Sequence, residues 1–323
     1  MSQKLRWGVL GAAKIARNRV IPAIIQSSNG VLSAIASRSQ EKADEIAEEF
    51  NIPHAFSSYE ALIESDVVDA VYIPLPNHLH VEYAIKAAKA GKHVLCEKPI
   101  AMSAEEAGLL LAVRESTGVV IQEAFMVMTN PAWSKAKELV DNGSIGELKT
   151  VIGNFSYMNT DPSNVRNVPE YGGGALMDVG CYLVLASRYF FNDEPISVSG
   201  ASKIDEHYGV DILTSASLEF EKGTAIITCS TQAVPAQMLY LEGTAGRIRF
   251  DIPFSQPADK PAVLFLDQGK DIFSMETTRV EIPPFNHYVL HVERFVDVVW
   301  GKSESPIKLE DSISNMCIID MIR

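Results

Sequence analysis

Gly91-Lys92-His93-Val94-Leu95-Cys96-Glu97-Lys98-Pro99 reads as a short apolar strand, residues 93–96, that stops abruptly in an acid, a base and a proline. Charge and proline at the carboxyl end of a buried strand are unusual. Open α/β sheets bind ligands in the crevice beyond those ends. Pro99 has no N–H and biases Lys98 away from helical backbone, so the chain must leave the sheet there. Lys98 is thus expected to be extended at the mouth of a crevice. By itself the tripeptide fits a solvated lysine at a loop start equally well, and the flanking sequence decides.

Towards the N-terminus, residues 5–10 form an apolar strand, Gly11-Ala12-Ala13-Lys14-Ile15-Ala16 follows, and a helical pattern spans residues 15–27. This is a strand, a tight turn and a helix. In the usual Gly-x-Gly-x-x-Gly fingerprint the pyrophosphate sits on that helix N-terminus. Only Gly11 is kept here, with Ala13 and Ala16 in the second and third places. A plain αβ turn competes with the dinucleotide reading. The second strand, residues 31–36, ends in Ser37-Arg38-Ser39, with Lys42 one helical turn beyond. No acid stands there to take a ribose 2′-OH, as the NAD version of the fold requires. A guanidinium fork suits a 2′-phosphate. The alternative is an exposed capping serine beside a solvated arginine.

The alternation continues with a helix at 40–50, a short strand at 54–56, a helix at 59–64 and a strand at 69–73. That strand ends in Pro74-Leu75-Pro76-Asn77-His78-Leu79-His80, a second irregular polar loop at the same edge, in which Asn77 can cap the next helix. His78 and His80 do not share a helix face, and no acid or cysteine cluster joins them, so no metal is expected. A helix at 80–90 leads into the opening stretch. After Pro99 comes a helix at 103–116, with Ser103 as N-cap and Glu106 at the capping-box position, and then a last strand at 119–122. The expectation is an N-terminal doubly wound parallel sheet over residues 1–122 with right-handed crossovers.

The plan changes over residues 123–323. A helix at 131–142 is followed by strand-like runs at 149–155, 196–201, 213–220, 225–230, 238–241, 247–250, 262–266 and 278–282, and then by a final helix at 287–300. Glu221-Lys222-Gly223 reads as a hairpin turn. This predicts an α+β domain with a large open, mostly antiparallel sheet, whose free face suits a homodimer or higher homo-oligomer. Within it, Tyr171-Gly172-Gly173-Gly174-Ala175-Leu176-Met177-Asp178-Val179-Gly180-Cys181-Tyr182 runs three glycines into an apolar helix. Asp178 and Tyr182 are spaced i, i+4 and are expected on one helix face. Such a pair is often structural, but the glycine run allows close approach of a backbone or ligand. Tyr157, Asn164 and Arg166, just upstream, are candidate substrate-pocket residues, with an ordinary loop as the alternative.

Composition narrows the classes. The chain has 323 residues, 47% apolar and 21% charged, with 28 basic against 41 acidic side chains and a net charge of −13. That balance argues against nucleic acid or an anionic membrane as partner. Cys96, Cys181, Cys229 and Cys317 are scattered, as in a reduced cytoplasmic protein. No signal-peptide core follows Met1 and no run is long enough to span a bilayer.

Taken together, the Gly11–Ala16 turn, the Ser37-Arg38 strand end, the Pro74–His80 loop, Glu97-Lys98-Pro99 and the 172–182 segment resemble the Gfo/Idh/MocA oxidoreductase family over essentially the whole chain. Tyr182, where other members carry His, resembles the subgroup of glucose–fructose oxidoreductase, dimeric dihydrodiol dehydrogenase and NADP-linked xylose dehydrogenases. The departures are the two alanines in the glycine fingerprint and an end at Arg323, where members usually continue. The resemblance implies a Rossmann domain plus an open-sheet domain, and NADP as cofactor, with NAD second. Its cofactor-binding residues would be Gly11, Ala12, Ala13, Lys14, Ile15, Ser37, Arg38, Lys42, Pro74, Leu75, Asn77, His80, Glu97 and Lys98. It places Lys98 by the nicotinamide ribose and the substrate hydroxyl, makes Tyr182 the proton donor or acceptor, and has Asp178 hold substrate or orient Lys98. The activity implied is hydride transfer at a secondary alcohol or carbonyl of a carbohydrate, polyol or dihydrodiol. A nucleotide-binding regulator without catalysis and a cofactor-assisted glycosidase are the alternatives.

Overall fold

The computed structural model describes residues 4–269 and 277–323. Met1–Gln3, at the start where no signal segment is expected, lie outside the described residues. The chain forms two compact units, Met1–Thr129 with Asn286–Ile313, and Asn130–Phe285 with Ser314–Arg323. This division differs from a single cut after residue 122, because the chain returns to the first unit near its end. The reason is packing. The helix His287–Val299 sets Phe295 against Trp7, ring centroids 5.0 Å apart, and Glu293 Oε1 accepts from the Ser28 N–H and hydroxyl at 2.8 and 2.7 Å.

In the first unit, β1 (Leu5–Leu10), β2 (Gly30–Ala36), β3 (His54–Phe56), β4 (Ala70–Ile73), β5 (His93–Cys96) and β6 (Ile121–Glu123) form one parallel sheet in the order β3-β2-β1-β4-β5-β6. The order reverses between β1 and β4, so those carboxyl ends flank the ligand crevice of a doubly wound fold. The strands are apolar on both faces, as buried parallel strands must be. Trp7, Val9, Ile35, Tyr72 and Leu95 are buried with Ile21, Ile24 and Val296.

The second unit holds β7 (Leu148–Met158), β8 (Ser197–Ile204), β9 (Asp211–Phe220), β10 (Gly223–Ser230), β11 (Gln232–Gly243), β12 (Arg247–Phe250), β13 (Ala262–Asp267) and β14 (Thr277–Ile282), ordered β14-β13-β12-β11-β7-β10-β9-β8. All pairings are antiparallel except β7 with β10. The 221–223 hairpin forms, with Gly223 opposite Phe220. One face of this sheet packs on an aromatic core. Phe155 and Phe254 stack at 4.9 Å, and Trp133 meets Phe190 at 5.5 Å and Phe254 at 6.1 Å.

Three local expectations need correction. The helix expected at 15–27 starts at Lys14 and runs through a π-wound turn, Ala16–Val20, before Ile21–Gln26. Asn77 caps no helix, because it begins a 3₁₀ turn, Asn77–Leu79, and the following helix His80–Lys89 has no side-chain cap. The helix at 287–300 is not the last. Leu309–Ile322 follows it, and Leu309, Met316, Ile318, Ile319 and Ile322 are all buried. Adjacent buried positions leave no single apolar stripe, which hid this helix from a periodicity reading.

Candidate active site

In the first unit the candidate cofactor residues all follow carboxyl ends of the parallel strands. The Gly11 N–H donates to the Ala36 carbonyl at 2.8 Å, tying the β1 end to the β2 end. Gly11 has φ +106°, and a Cβ there would meet Leu75 Cδ2 at 3.1 Å and the Tyr59 hydroxyl at 3.6 Å. Backbone and space both require glycine. Ala12, Ala13 and Ile15 are half-buried and Lys14 is exposed, whereas Ala16 is fully buried, as close helix–strand packing at the third fingerprint place demands. The turn therefore keeps the cradle a pyrophosphate needs, and the residues fit a dinucleotide.

At the end of β2, Ser37 is buried and its N–H donates to the Phe56 carbonyl at 3.0 Å. The helix Gln40–Phe50 is capped by Ser39, which accepts from the Lys42 N–H at 3.4 Å. Arg38 and Lys42 are exposed. Arg38 lies against the hydroxyl of Tyr59. Burial raises the pKa of that phenol, and the neighbouring guanidinium opposes the rise. Tyr59 thus faces both Gly11 and Arg38. Its place directly after the capping Ser58 was the only signal for it in the sequence.

Pro74 and Leu75 are buried and Asn77 is half-buried. His80 was grouped with the cofactor residues, but its ring is fully buried and both nitrogens face carbonyls, Nδ1 to Pro99 O at 2.8 Å and Nε2 to Leu75 O at 2.7 Å. It joins the loop after β4 to the segment after β5. Burial lowers its pKa to about 4, against the two carbonyls, which favour the cation, and with Lys98 adding to the fall. Glu97 N–H donates to Ile73 O at 3.0 Å, and its Oε1 accepts from the buried Tyr72 hydroxyl at 2.5 Å. Lys98 is half-buried and its bond to Pro99 is cis. Tyr72 and Glu123 support this loop and carried no sequence signal beyond being polar groups in apolar strands.

In the second unit two candidates converge on one oxygen of a third. Asp178 Oδ2 accepts from the Tyr157 hydroxyl at 2.6 Å and from Arg166 Nε at 2.8 Å. Burial, and then the Asp178 carboxylate, raise the Tyr157 pKa, so this phenol is a donor and stays protonated. Asn164 does not join them. It caps the turn carrying Arg166 by accepting from the Arg166 N–H at 3.1 Å. Asp178 lies in a π-wound turn, Leu176–Gly180, and Tyr182 in the α-helix Cys181–Phe191 that continues it. A π turn of this kind within a helix frequently marks a functional site. The Tyr182 ring is buried, 5.8 Å from Phe155 and 5.9 Å from Phe254.

The glycine run explains itself sterically. A Cβ on Gly173 would lie 2.4 Å from the Arg166 carbonyl oxygen, and one on Gly174, at φ +110°, would lie 2.0 Å from Asp211 Oδ1. Asp211 Oδ2 accepts from the Leu176 N–H at 2.8 Å and the Thr214 hydroxyl at 2.7 Å, capping the helix that carries Asp178. Asp211 is another residue that sequence reasoning missed, since it sits in a strand 35 residues downstream of that N–H.

A 3-2-1-4-5-6 parallel sheet with a glycine turn after its first strand is a dinucleotide-binding architecture, and the same chain carries an open sheet and the Asp178–Tyr157–Arg166 cluster. Residues 5–125 match the oxidoreductase family with an NAD-binding Rossmann fold, and residues 133–249 match the GFO/IDH/MocA C-terminal domain. The chain belongs to this family. It is 37% identical to the D-xylose 1-dehydrogenase (NADP(+)) 2 of Haloferax volcanii over 98% of this chain and 96% of that one. It is 33% identical to the trans-1,2-dihydrobenzene-1,2-diol dehydrogenase of Mus musculus over 76% and 74%. A 3-ketoreductase of Actinomadura kijaniata, solved with NADP and TDP-benzene, superimposes with a TM-score of 0.92 at 28% identity, covering 99% of this chain and 97% of that one. Among the described residues no helix is long and apolar enough to cross a membrane.

Proposed function

We propose that this oxidoreductase uses NADP to move hydride at a secondary alcohol or carbonyl of a sugar, polyol or dihydrodiol, with Tyr182 as general acid–base and Lys98 assisting it. The observation that carries the reading is the convergence of Tyr157 and Arg166 on Asp178, on the helix that bears Tyr182. A partly exposed arginine and a phenol held by a half-buried carboxylate present polar groups of the kind that fix hydroxyl groups of a small substrate. A regulator that only binds nucleotide has no use for that arrangement.

The cofactor proposal rests on Arg38 and Lys42 at the β2 end, where no carboxylate replaces them, and on the NADP named for the Haloferax and Actinomadura proteins. The nicotinamide supplies the hydride chemistry. Gly11 gives close backbone approach, Ser37 and Arg38 take the 2′-phosphate, and Glu97 fixes the segment that carries Lys98. A cationic Lys98 favours the phenolate of Tyr182, which then takes the proton of an alcohol. An oligomer built on the open sheet is part of the proposal. Thr224, Ile226 and Thr228 of β10 and Leu213 and Ser215 of β9 alternate with buried positions on a solvent-facing surface, with Glu219 opposite Thr224 and Lys203 opposite Leu213.

Assaying aldoses, polyols and trans-dihydrodiols with NADP⁺, and watching absorbance of the reduced cofactor, tests the reading. Turnover of at least one class with NADP⁺ in preference to NAD⁺ is expected. Glycoside hydrolysis without net cofactor reduction would favour the glycosidase reading, and tight cofactor binding without any turnover the regulatory one.

A further inference from the structure

The peptide unit that follows Lys98–Pro99 is gripped on both sides by buried titratable side chains. His80 Nδ1 faces its carbonyl, Pro99 O, at 2.8 Å. Glu123 Oε1 accepts from its N–H, that of Ile100, at 2.8 Å. His80 is 0% exposed and Glu123 is 1% exposed, so water does not compete for either contact. On the other side of Lys98, the Glu97 N–H is held by Ile73 O and the Glu97 carboxylate by Tyr72. The segment is thus fixed at Glu97, Pro99 and Ile100, on both sides of Lys98, and the Glu97 carboxylate is engaged by Tyr72.

A histidine and a glutamate are costly choices for a dry interior. Burial pushes the Glu123 carboxyl up to about 8, against Ser312 and the Ile100 N–H, which favour its anion. Leucine or phenylalanine would fill both places without that cost, which makes directed polar contact the reason for these residues. The neutral imidazole has one N–H for two carbonyls. The N–H of the clamped peptide is already donated to Glu123, which polarises its carbonyl and makes Pro99 O the better acceptor of the His80 proton.

We propose that His80 and Glu123 are positioning residues for Lys98, holding the Pro99–Ile100 peptide by its carbonyl and its N–H so that the lysine is presented in one orientation. The proposal rests on the role given to Lys98 above, but it is tested without substrate or cofactor. Lys98 is labelled competitively with an N-hydroxysuccinimide acetate, and its rate is read by mass spectrometry against exposed Lys89 of the same chain. The amide nitrogen of Asn falls where His Nδ1 stands, and that of Gln where Nε2 stands. His80→Asn therefore keeps the donor to Pro99, whereas His80→Gln keeps only the donor to Leu75. Glu123→Gln keeps an acceptor for Ile100, and Glu123→Leu removes it.

His80→Gln and Glu123→Leu are expected to change the Lys98 rate by about threefold or more, the effect of a half-unit change in lysine pKa. His80→Asn and Glu123→Gln are expected to restore it, with Lys89 constant throughout. A merely structural role would make the Lys98 rate follow the loss in Tm, whichever atom is kept. A wild-type rate in His80→Gln, or equal changes in His80→Asn and His80→Gln, overturns the proposal. If Glu123→Leu does not fold, the two His80 variants decide alone. Failure here leaves the NADP reading standing, and failure of the substrate panel leaves the clamp standing.

Discussion

The two units hold their candidate residues by opposite means. In the first, groups at the strand ends are fixed from behind by buried titratable side chains, Tyr72, His80 and Glu123, which touch backbone or a neighbouring carboxylate. In the second, the candidates fix one another, with Tyr157 and Arg166 on Asp178, while Gly173, Gly174 and Asp211 let the segments close up. A rigid frame suits a site that must hold a cofactor of constant shape. Side chains meeting at a partly exposed carboxylate suit a substrate side, where changing one residue changes the ligand accepted.

The sharpest test of this division is Tyr182→Phe. If the second unit carries the proton transfer, turnover falls by ~10²–10⁴, the usual worth of general acid–base catalysis, while NADPH affinity stays at the wild-type value. Steady-state rates and fluorescence titration measure the two. Wild-type turnover in the variant would make Tyr182 a core residue. On the proposed mechanism, oxidation rates in wild type should also rise with pH through an apparent pKa below that of free tyrosine.

Next in size is the response to acid. Six of the seven histidines lie in the first unit, and burial lowers His80 and His287 to about 4 and His291 to about 3. The folded pKa lies below the unfolded one, so the unfolded chain takes up protons first, and stability falls as pH drops from 6.5 towards 4. Each of the three contributes a loss of about 2 kcal/mol at pH 5. Glu123 has the reverse sign. Its folded pKa, about 8, is raised, so its contribution is full below the ordinary carboxylate range and is lost as pH rises through 8. Hydrogen exchange of peptides from each unit between pH 4.5 and 9 should show the first unit losing protection at both extremes. Equal acid loss in both units would erase the contrast.

Arg38→Ala probes the frame from the solvent side. Losing a charge-assisted fork to a 2′-phosphate costs about 1.5–3 kcal/mol, ten- to a hundredfold in NADPH affinity, with NADH affinity unchanged. Equal binding of NADPH and NADH by the wild type would remove the basis for the cofactor proposal. The smallest effect is expected at Gly174→Ala, where a positive φ and the Asp211 carboxylate oppose a methyl group, at a cost of about 1–3 kcal/mol. Urea unfolding measures it, and with Asp211→Gly as the reference, where the cap is lost with and without the alanine, Gly174→Ala should cost only the backbone strain.

The alternation of short apolar strands and helices through residue 122, the turn at Gly11, the missing acid after β2 and the charged stop at Glu97-Lys98-Pro99 were all legible along the chain. Each is a local signal, resting on a period, a backbone angle or a residue type at a strand end, and such signals survive without knowledge of the fold. So were the strand-rich second half and the importance of the glycine run before Asp178. The helix Leu309–Ile322, the return of His287–Val299 to the first unit and the π-wound turns were not, because burial on several sides and a widened turn leave no clean period. Nor could the sequence say that His80 faces inward to two carbonyls, that Asp211 caps a helix 35 residues upstream, or that Tyr157 and Arg166 meet on Asp178 while Asn164 does not. Those facts depend on contacts between segments distant in the chain. Only the packed structure decides which polar side chain is left facing which, since the energy of a buried hydrogen bond depends on the partner brought to it and not on the residue's neighbours in sequence.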